Sequence, residues 1–369
     1  HFATPNDPNY DDQWHYYESV GGLNAPTAWD SVDGSGVVVA VLDTGYRPHS
    51  DLAGNILPGY DMISDSFIAN DGDGRDSDAQ DPGDWVSAGA CGNGYPAQDQ
   101  DSSWHGTHVA GTIAAETNNS TGVAGVAYGA KIVPVRVLGR CGGTTADIAD
   151  GIVWASGGSV PGTSPNANPA DVLNMSLGGS GTCSTTTQNA INTARNNGAT
   201  VVVASGNSND NSTNYNPGNC NGVVNVASTD RNGDRAYYSN YGSNVDVAAP
   251  GGAMQSANDP NGVLSTYNTG TSTPGSDSYG YSQGTSMAAP HVAGAAALIK
   301  AADPAATPDD IEQILRNSAR SFPGSCNGCG TGIVDAAAAV ALASGGGNGG
   351  DNGGDGGGDD GSSGGGGTV

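Results

Sequence analysis

Short runs of apolar residues alternate with amphipathic stretches along most of the chain. Because the runs are rich in β-branched residues and almost free of polar ones, they predict strands that are buried on both faces. They begin at Gly36, Ala130, Ala170, Gly198, Gly222 and Asn244. Helical stretches lie between them, one starting after His105 and the others at Thr145, Thr185 and Met287. This alternation predicts an α/β fold, a three-layer sandwich with a mainly parallel central sheet and helices on both faces.

Two segments depart from this alternation. Residues 70–103 are mostly Asp, Gly, Ser and Gln, and a polar stretch of this length predicts a long functional loop. Residues 344–369 contain no apolar residue before Val369, so they cannot bury surface and we expect a flexible Gly/Asp/Ser-rich linker. The folded domain is therefore expected to span residues 1–343.

Composition and charge narrow the class of protein. The chain has 61 Gly and 19 Pro residues. Their combined share of the chain is below the roughly 25–30% that marks low-complexity chains. The formal net charge of −26 disfavours nucleic acid and anionic membrane surfaces as partners. No apolar run approaches the roughly 18 residues of a membrane span, so an integral membrane protein is not expected. A chain that begins at His1 resembles the mature remainder of a processed precursor, although a cloning boundary would look the same.

The chain has six cysteines, an even number that suits disulfides in an oxidising compartment. Composition alone leaves every pairing open. A CxxC zinc half-site at the last two cysteines would need a second half, which the sequence lacks. The cysteines are Cys91, Cys141, Cys183, Cys220, Cys326 and Cys329.

Three polar residues stand where an open parallel sheet holds its active site, beyond the carboxyl ends of the strands. Asp43 closes the run VVVAVLD, His105 opens HGTHVAGTIAA, and Ser286 lies in GTSMAAPHVAG at the head of an Ala-rich helix. In kind, they are an orienting acid, a base and a nucleophile. Each alone has a plainer explanation, as a turn former, a satisfied histidine and a helix N-cap.

Together and in this order, the motifs DTG, HGTHVAG and GTSMAAPHVAG resemble those of the subtilases, the subtilisin-like serine proteases. The resemblance covers nearly all of residues 1–343 and includes DVLNMSLGG from Asp171 and VVVASGN from Val201. It implies a secreted, monomeric serine endopeptidase that cleaves proteins and peptides through an acyl-enzyme intermediate, after removal of its own propeptide. The 70–103 loop, the cysteines and the tail depart from the family pattern.

The resemblance also implies roles for individual residues. Ser286 attacks the scissile carbonyl, His105 takes its proton, and Asp43 orients the imidazole. Asn207 and the Ser286 backbone N–H are the implied oxyanion donors. The peptide would be clamped as an added strand between two backbone segments, Gly142, Gly143 and Thr144 on one side and Ser176, Leu177 and Gly178 on the other.

Side-chain selectivity is expected to come from pockets beside this clamp. The loop 208–221 is expected to floor the main pocket. Asp210 in that loop either favours a basic substrate residue or is a solvated carboxylate.

Calcium is the implied cofactor. ETNNSTGV from Glu116 resembles the calcium loop of the thermitase-like branch, and calcium prefers oxygen ligands. The ligands carried over are the side chains of Asp7, Asp51 and Asn119 and the carbonyls of Glu116, Thr121 and Val123. A second site is expected in NDGDGRDSDAQD, because carboxylates this close would repel one another without a cation; an acidic loop without metal is the alternative. Its candidate ligands are Asp71, Asp73, Asp76 and Asp78, with Asp81 in the same loop.

For the disulfides, we predict sequential pairing. A bridge between Cys91 and Cys141 would fix the long loop beside the proposed cleft. Cys183 and Cys220 flank a helix and a strand, which favours a second bridge and leaves Cys326 with Cys329.

Three other functions remain open on the sequence. They are a catalytically inactive subtilase fold that serves as a binding module, a Gly-rich ion-binding surface protein, and a serine hydrolase that acts on esters. Peptide hydrolysis distinguishes the first two from a protease, and a comparison of protein with ester substrates distinguishes the third.

Overall fold

The structure, a computed structural model, describes residues 4–345. Nearly all of the predicted linker, residues 344–369, lies outside the described residues, and the domain boundary stays a prediction. The last helix described ends at Ala343.

Strands and helices alternate over most of the described chain. The strands are β1 Val38–Asp43, β2 Tyr60–Asp61, β3 Lys131–Arg136, β4 Val172–Met175, β5 Gly179–Ser180, β6 Thr200–Ala204, β7 Tyr215–Asn216, β8 Val224–Thr229, β9 Val247–Pro250, β10 Val263–Asn268 and β11 Asp277–Ser282. The α-helices are α1 Trp14–Tyr17, α2 Ala25–Trp29, α3 Ser66–Ala69, α4 His105–Ala114, α5 Thr145–Ala155, α6 Thr185–Asn196, α7 Thr285–Ala302, α8 Pro308–Ser318 and α9 Ala336–Ala343.

Seven parallel strands form the central sheet in the order β2-β3-β1-β4-β6-β8-β9. The six predicted strands correspond to β1, β3, β4, β6, β8 and β9. In the middle, Val39 of β1 lies opposite Ile132 of β3 on one side and Val172 of β4 on the other. The sheet therefore brings the carboxyl ends of β1, β4 and β6 to one edge.

Each face of the sheet has its own core. Val39 and Val41 of β1 pack in a cluster with α4 and α7, whereas Ala40 and Leu42 pack with α5 and α6. Successive side chains of a strand point to opposite faces, so both faces need a helical cover. The predicted three-layer α/β fold is confirmed.

Several elements were not predicted. β10 and β11 form an antiparallel hairpin in which Val263 lies opposite Ser282, and β11 has few apolar residues to mark it. Helix α8 begins with a capping box between Thr307 and Asp310 and has Pro308 in its first turn, a start signal that is readable in the sequence. Helix α7 begins at Thr285, two residues before the predicted start.

The polar stretch 70–103 contains no helix or strand, as predicted. A disulfide between Cys91 and Cys141 ties this loop to the segment after β3. The other bridges join Cys183 with Cys220 and Cys326 with Cys329, so the pairing is the sequential one expected from the sequence.

Between residues 4 and 345, no helix is both long enough and apolar enough to cross a membrane.

Candidate active site

The site begins at a buried carboxylate at the end of the central strand. Asp43 is the last residue of β1 and is fully buried. Its Oδ1 accepts hydrogen bonds from the backbone N–H of Thr44 at 2.8 Å and from Nδ1 of His105 at 2.7 Å. Because a carboxylate oxygen can only accept, the proton on the neutral imidazole must be on Nδ1. Nε2 of His105 is therefore free to act as a base.

A close backbone contact places His105 beside Asp43. The backbone N–H of Gly106 donates to Thr44 Oγ1 at 2.9 Å. A Cβ at Gly106 would lie 2.1 Å from the carbonyl oxygen of Gly45, so only glycine lets the first turn of α4 rest on the turn that follows Asp43. The His105 side chain stays 25% exposed, so part of the ring remains accessible.

Acidic neighbours change the basicity of His105. Burial alone would lower the pKa of this imidazole, but the charge and hydrogen bond of Asp43, together with the charges of Asp84 and Asp81, outweigh burial and raise the pKa above 6.5. Asp84 is partly buried and accepts from the N–H and hydroxyl of Ser103, two residues before His105. The loop 70–103 thus contributes negative charge to the site.

Ser286 lies in the first turn of α7, at the same edge of the sheet. Its Oγ donates to the carbonyl oxygen of Ser176 at 3.2 Å. No hydrogen bond joins Ser286 to His105 within residues 4–345, a common state of such a pair before substrate binds, since catalytic hydrogen bonds often tighten only in the complex. The Ser286 backbone N–H likewise makes no hydrogen bond to any described residue outside the helix.

Asn207 follows β6 and lines the same cavity as Ser286. Its Oδ1 accepts from both the backbone N–H and the hydroxyl of Thr285, each at 2.8 Å. Because the Thr285 backbone N–H can only donate, the atom of the Asn207 amide that faces α7 must be the oxygen. Nδ2 of Asn207 has no acceptor in the described part of the chain, so two unpaired N–H donors border the cavity beside the Ser286 hydroxyl.

Two adjoining cavities form the cleft. The first, about 490 Å³, is lined by Ser286 and by the loop residues Ser208, Tyr215 and Asn216. Asp210 does not line it; the Tyr215 hydroxyl donates to Asp210 Oδ2 at 3.1 Å. Three residues of the loop 208–221 thus line this cavity, and Asp210 accepts a hydrogen bond from one of them, Tyr215. That this cavity is the main substrate pocket stays a prediction.

The second cavity, about 470 Å³, has a mixed lining that includes the apolar side chains of Leu138 and Ile148. Of the six predicted substrate-binding residues, four line these cavities: Gly142, Gly143, Leu177 and Gly178. The two others lie beside them. Thr144 accepts from the Asp147 N–H and caps helix α5, and the side chain of Ser176 is buried.

The residues of the first predicted calcium site lie together. Asp7 and Asp51 are both buried, and Asp7 Oδ1 has no hydrogen-bond partner within residues 4–345. Asp51 accepts from Asn119 Nδ2 at 2.8 Å and from the Val123 N–H at 2.9 Å. Burial raises the pKa of both carboxyls, that of Asp51 to about 6. Buried carboxylate oxygens, of which one has no hydrogen-bond partner, are the kind of ligand that a hard cation such as calcium binds. Glu116 directs its carboxylate at the Gly54 N–H.

The second predicted site shows carboxylates held partly by arginine. Buried Arg136 pairs with Asp61 at 2.6 Å and with Asp71 at 3.3 Å. The charges of Asp76 and Asp71 raise the pKa of Asp73. Asp78 accepts from the Gln80 N–H. Within residues 4–345, no group of three or more His, Cys, Asp or Glu side chains is arranged to hold a metal.

Two features of the site were missed from the sequence. Arg136 is a single charge in the apolar run IVPVRVL, and an isolated charge in a buried strand is a signal that a partner is required. Asp84 was not distinguished from the other acidic residues of its loop, because its contact with Ser103 depends on the loop conformation.

Comparison with known proteins identifies the family. The model of the subtilase family matches residues 34–343. An extracellular protease of Xanthomonas campestris pv. campestris is 58% identical over 345 residues, which are 93% of this chain and 58% of that protein. Thermitase of Thermoactinomyces vulgaris is 37% identical over 339 residues, 91% of this chain and 99% of thermitase. The chain belongs to the subtilase family, the subtilisin-like serine proteases.

A solved structure of proteases from Pseudoalteromonas arctica PAMC 21717 has the same fold, with a TM-score of 0.91 and 76% identity over 92% of this chain and all of the other. The chain spans only 58% of the length of the Xanthomonas relative.

The acidic surroundings of His105 predict a shifted pH profile. Only neutral His105 can accept a proton, so the acid limb of kcat/KM should have its midpoint above pH 6.5. Asp84→Asn removes one charge that favours the imidazolium and should move the midpoint to lower pH. The measurement is kcat/KM on a peptide anilide from about pH 5 to 9, with Asp30→Asn, an exposed carboxylate, as the control. An unshifted midpoint in Asp84→Asn would contradict this electrostatic account.

Proposed function

We propose that this chain is a secreted endopeptidase that hydrolyses peptide bonds through an Asp43–His105–Ser286 triad and an acyl-enzyme. The observation that carries the proposal is the 2.7 Å hydrogen bond from His105 to the buried Asp43 carboxylate, at the end of β1. Ser286 lies at the same edge of the sheet, hydrogen-bonded to Ser176, which follows β4. Motif order and family membership support the same roles.

In the proposed reaction, a peptide carbonyl enters the first cavity and the Ser286 hydroxyl turns from Ser176 toward His105. Nε2 takes the proton as Oγ attacks the carbonyl carbon. The resulting oxyanion is held by Asn207 Nδ2 and the Ser286 N–H, the two donors without partners among the described residues. His105 then gives the proton to the leaving amine, and water hydrolyses the acyl-enzyme by the same steps.

Asp43 stabilises the imidazolium that forms while the proton is on His105. The Asp43 charge is not offset by an ion pair with Arg136, the residue that lies opposite it on β3. The Arg136 guanidinium instead bonds to the Thr44 carbonyl, Asp61 and Asp71. The Asp43 charge is therefore available to His105.

We also propose that the protein binds calcium as a structural ion. Subtilases generally bind calcium, and the buried Asp7 and Asp51 carboxylates lack a cationic partner among the described side chains. A calcium ion there would offset their repulsion and hold the N-terminal segment against the 116–123 loop. The acidic loop around Asp73 is the proposed second site.

Secretion and the class of substrate are part of the same proposal. The Xanthomonas relative is described as an extracellular protease, and three disulfides suit an oxidising compartment. Proteins and peptides are the proposed substrates. A removed propeptide and a monomeric state remain predictions.

The activity is tested by casein hydrolysis with the unmutated chain and with Ser286→Ala. We expect the variant to lose at least about a thousandfold in kcat, because the nucleophile is removed while binding is retained. Ser159→Ala, an exposed serine, is the matched control and should keep full activity. A folded unmutated chain that does not cleave casein would favour the binding-module alternative, and cleavage of simple esters alone would favour the esterase.

Calcium binding is tested by thermal melting with calcium and with excess chelator. An ion that binds only the folded state adds about 2.7 kcal/mol at a hundred times its dissociation constant, so the melting temperature should fall by several degrees in chelator. Asp51→Asn should abolish most of that difference if the first site is responsible, and Asp73→Asn should reduce it if the second site also binds. Asp30→Asn should leave it unchanged. Equal melting temperatures in calcium and in chelator would contradict the calcium proposal.

A further inference from the structure

Helix α7 contains a proline four residues after the proposed nucleophile. Pro290 is buried within the helix, and proline has no backbone N–H. The carbonyl of Ser286 therefore lacks the i+4 donor that any other residue type at position 290 would provide. A helical carbonyl that has lost its donor in a partly buried position is satisfied by a hydrogen bond from elsewhere.

The missing donor comes from the residue that follows β4. The hydroxyl of Ser176 donates to the Ser286 carbonyl oxygen at 2.8 Å. Asn174 Nδ2 in turn donates to Ser176 Oγ at 3.0 Å. Because the amide occupies the acceptor side of this hydroxyl, its single hydrogen is directed at Ser286. Both Asn174 and Ser176 are buried, so the bond between them is shielded from water.

The same residue carries both proposed catalytic groups, the Oγ and the N–H of Ser286. Its Oγ bonds back to the Ser176 carbonyl, and the residue lines the first cavity. On the other side of the first turn, Thr285 is held by Asn207. A rotation of the backbone at Ser286 would therefore displace the nucleophile and an oxyanion donor together.

We propose that Ser176 is a positioning residue: its hydroxyl replaces the helical hydrogen bond that Pro290 removes, and it fixes the Ser286 backbone against the end of β4. The proposal rests on the proposed function. It assigns the Ser176 hydroxyl a task separate from that of its backbone, which borders the substrate cleft. Loss of the hydroxyl should therefore affect the chemical step rather than substrate binding.

The test is a double-mutant cycle of Ser176→Ala and Pro290→Ala, with kcat and KM measured on a peptide anilide. In the unmutated background, Ser176→Ala should lower kcat about tenfold, the order expected for one hydrogen bond, and change KM by less than about twofold. In the Pro290→Ala background, the alanine introduced at position 290 can donate its own N–H to the Ser286 carbonyl. There the Ser176 substitution should lower kcat by less than about twofold, whatever Pro290→Ala does by itself.

Ser159→Ala is the matched control, and melting curves establish that each variant is folded. If Ser176→Ala does not fold, Asn174→Ala carries the test, because it removes the group that orients the hydroxyl; its loss of kcat should also shrink in the Pro290→Ala background. Equal losses in both backgrounds, or a loss seen only in KM, would overturn the proposal. An unmutated chain without activity would overturn the proposed function and this proposal with it.

Discussion

The hydrogen bond between the buried Asp43 carboxylate and His105 is the interaction on which the site depends. A buried carboxylate is costly unless it is paired or hydrogen-bonded, and Asp43 has only Thr44 and His105 as partners on Oδ1, with Oδ2 unpaired among the described residues. The fold could have neutralised it with Arg136, the neighbour on β3. Instead the guanidinium is occupied by Asp61 and Asp71, and the uncompensated charge raises the basicity of the imidazole.

Rigid elements position the reactive groups, and loops form the walls around them. Asp43 ends a strand at the centre of the sheet, His105 begins a helix that rests on the turn after Asp43, and Ser286 lies in the first turn of a long buried helix. Each group is thus placed by an element that is packed into the core, β1 on both of its faces and the two helices on one face of the sheet. Many residues of the cleft walls belong to connections between these elements, where loops can vary in sequence while the scaffold is kept.

The sequence predicted the structure best where a segment's burial is directly visible in its residue types. Strands covered on both faces are continuous apolar runs, so the sheet was predictable. The β10–β11 hairpin was not, because β11, from Asp277 to Ser282, has only two tyrosines, Tyr279 and Tyr281, among polar residues and glycine. That alternation is too short to mark a strand by itself. The candidate residues Asp43, His105 and Ser286 could be selected from motif context, whereas the contacts of Arg136 and Ser176 could not. Both depend on partners more than 60 residues away that only the folded chain brings into contact.

The most direct test of the account is the mass of the chain after reaction with a serine-directed fluorophosphonate, followed by peptide mapping. Attack by Oγ on phosphorus releases fluoride and leaves a stable covalent adduct. The account predicts one adduct per chain, on the peptide that contains Ser286, and none on the denatured chain. A native chain that stays unmodified, or that carries the adduct on another serine, would contradict the assignment of Ser286 as an activated nucleophile.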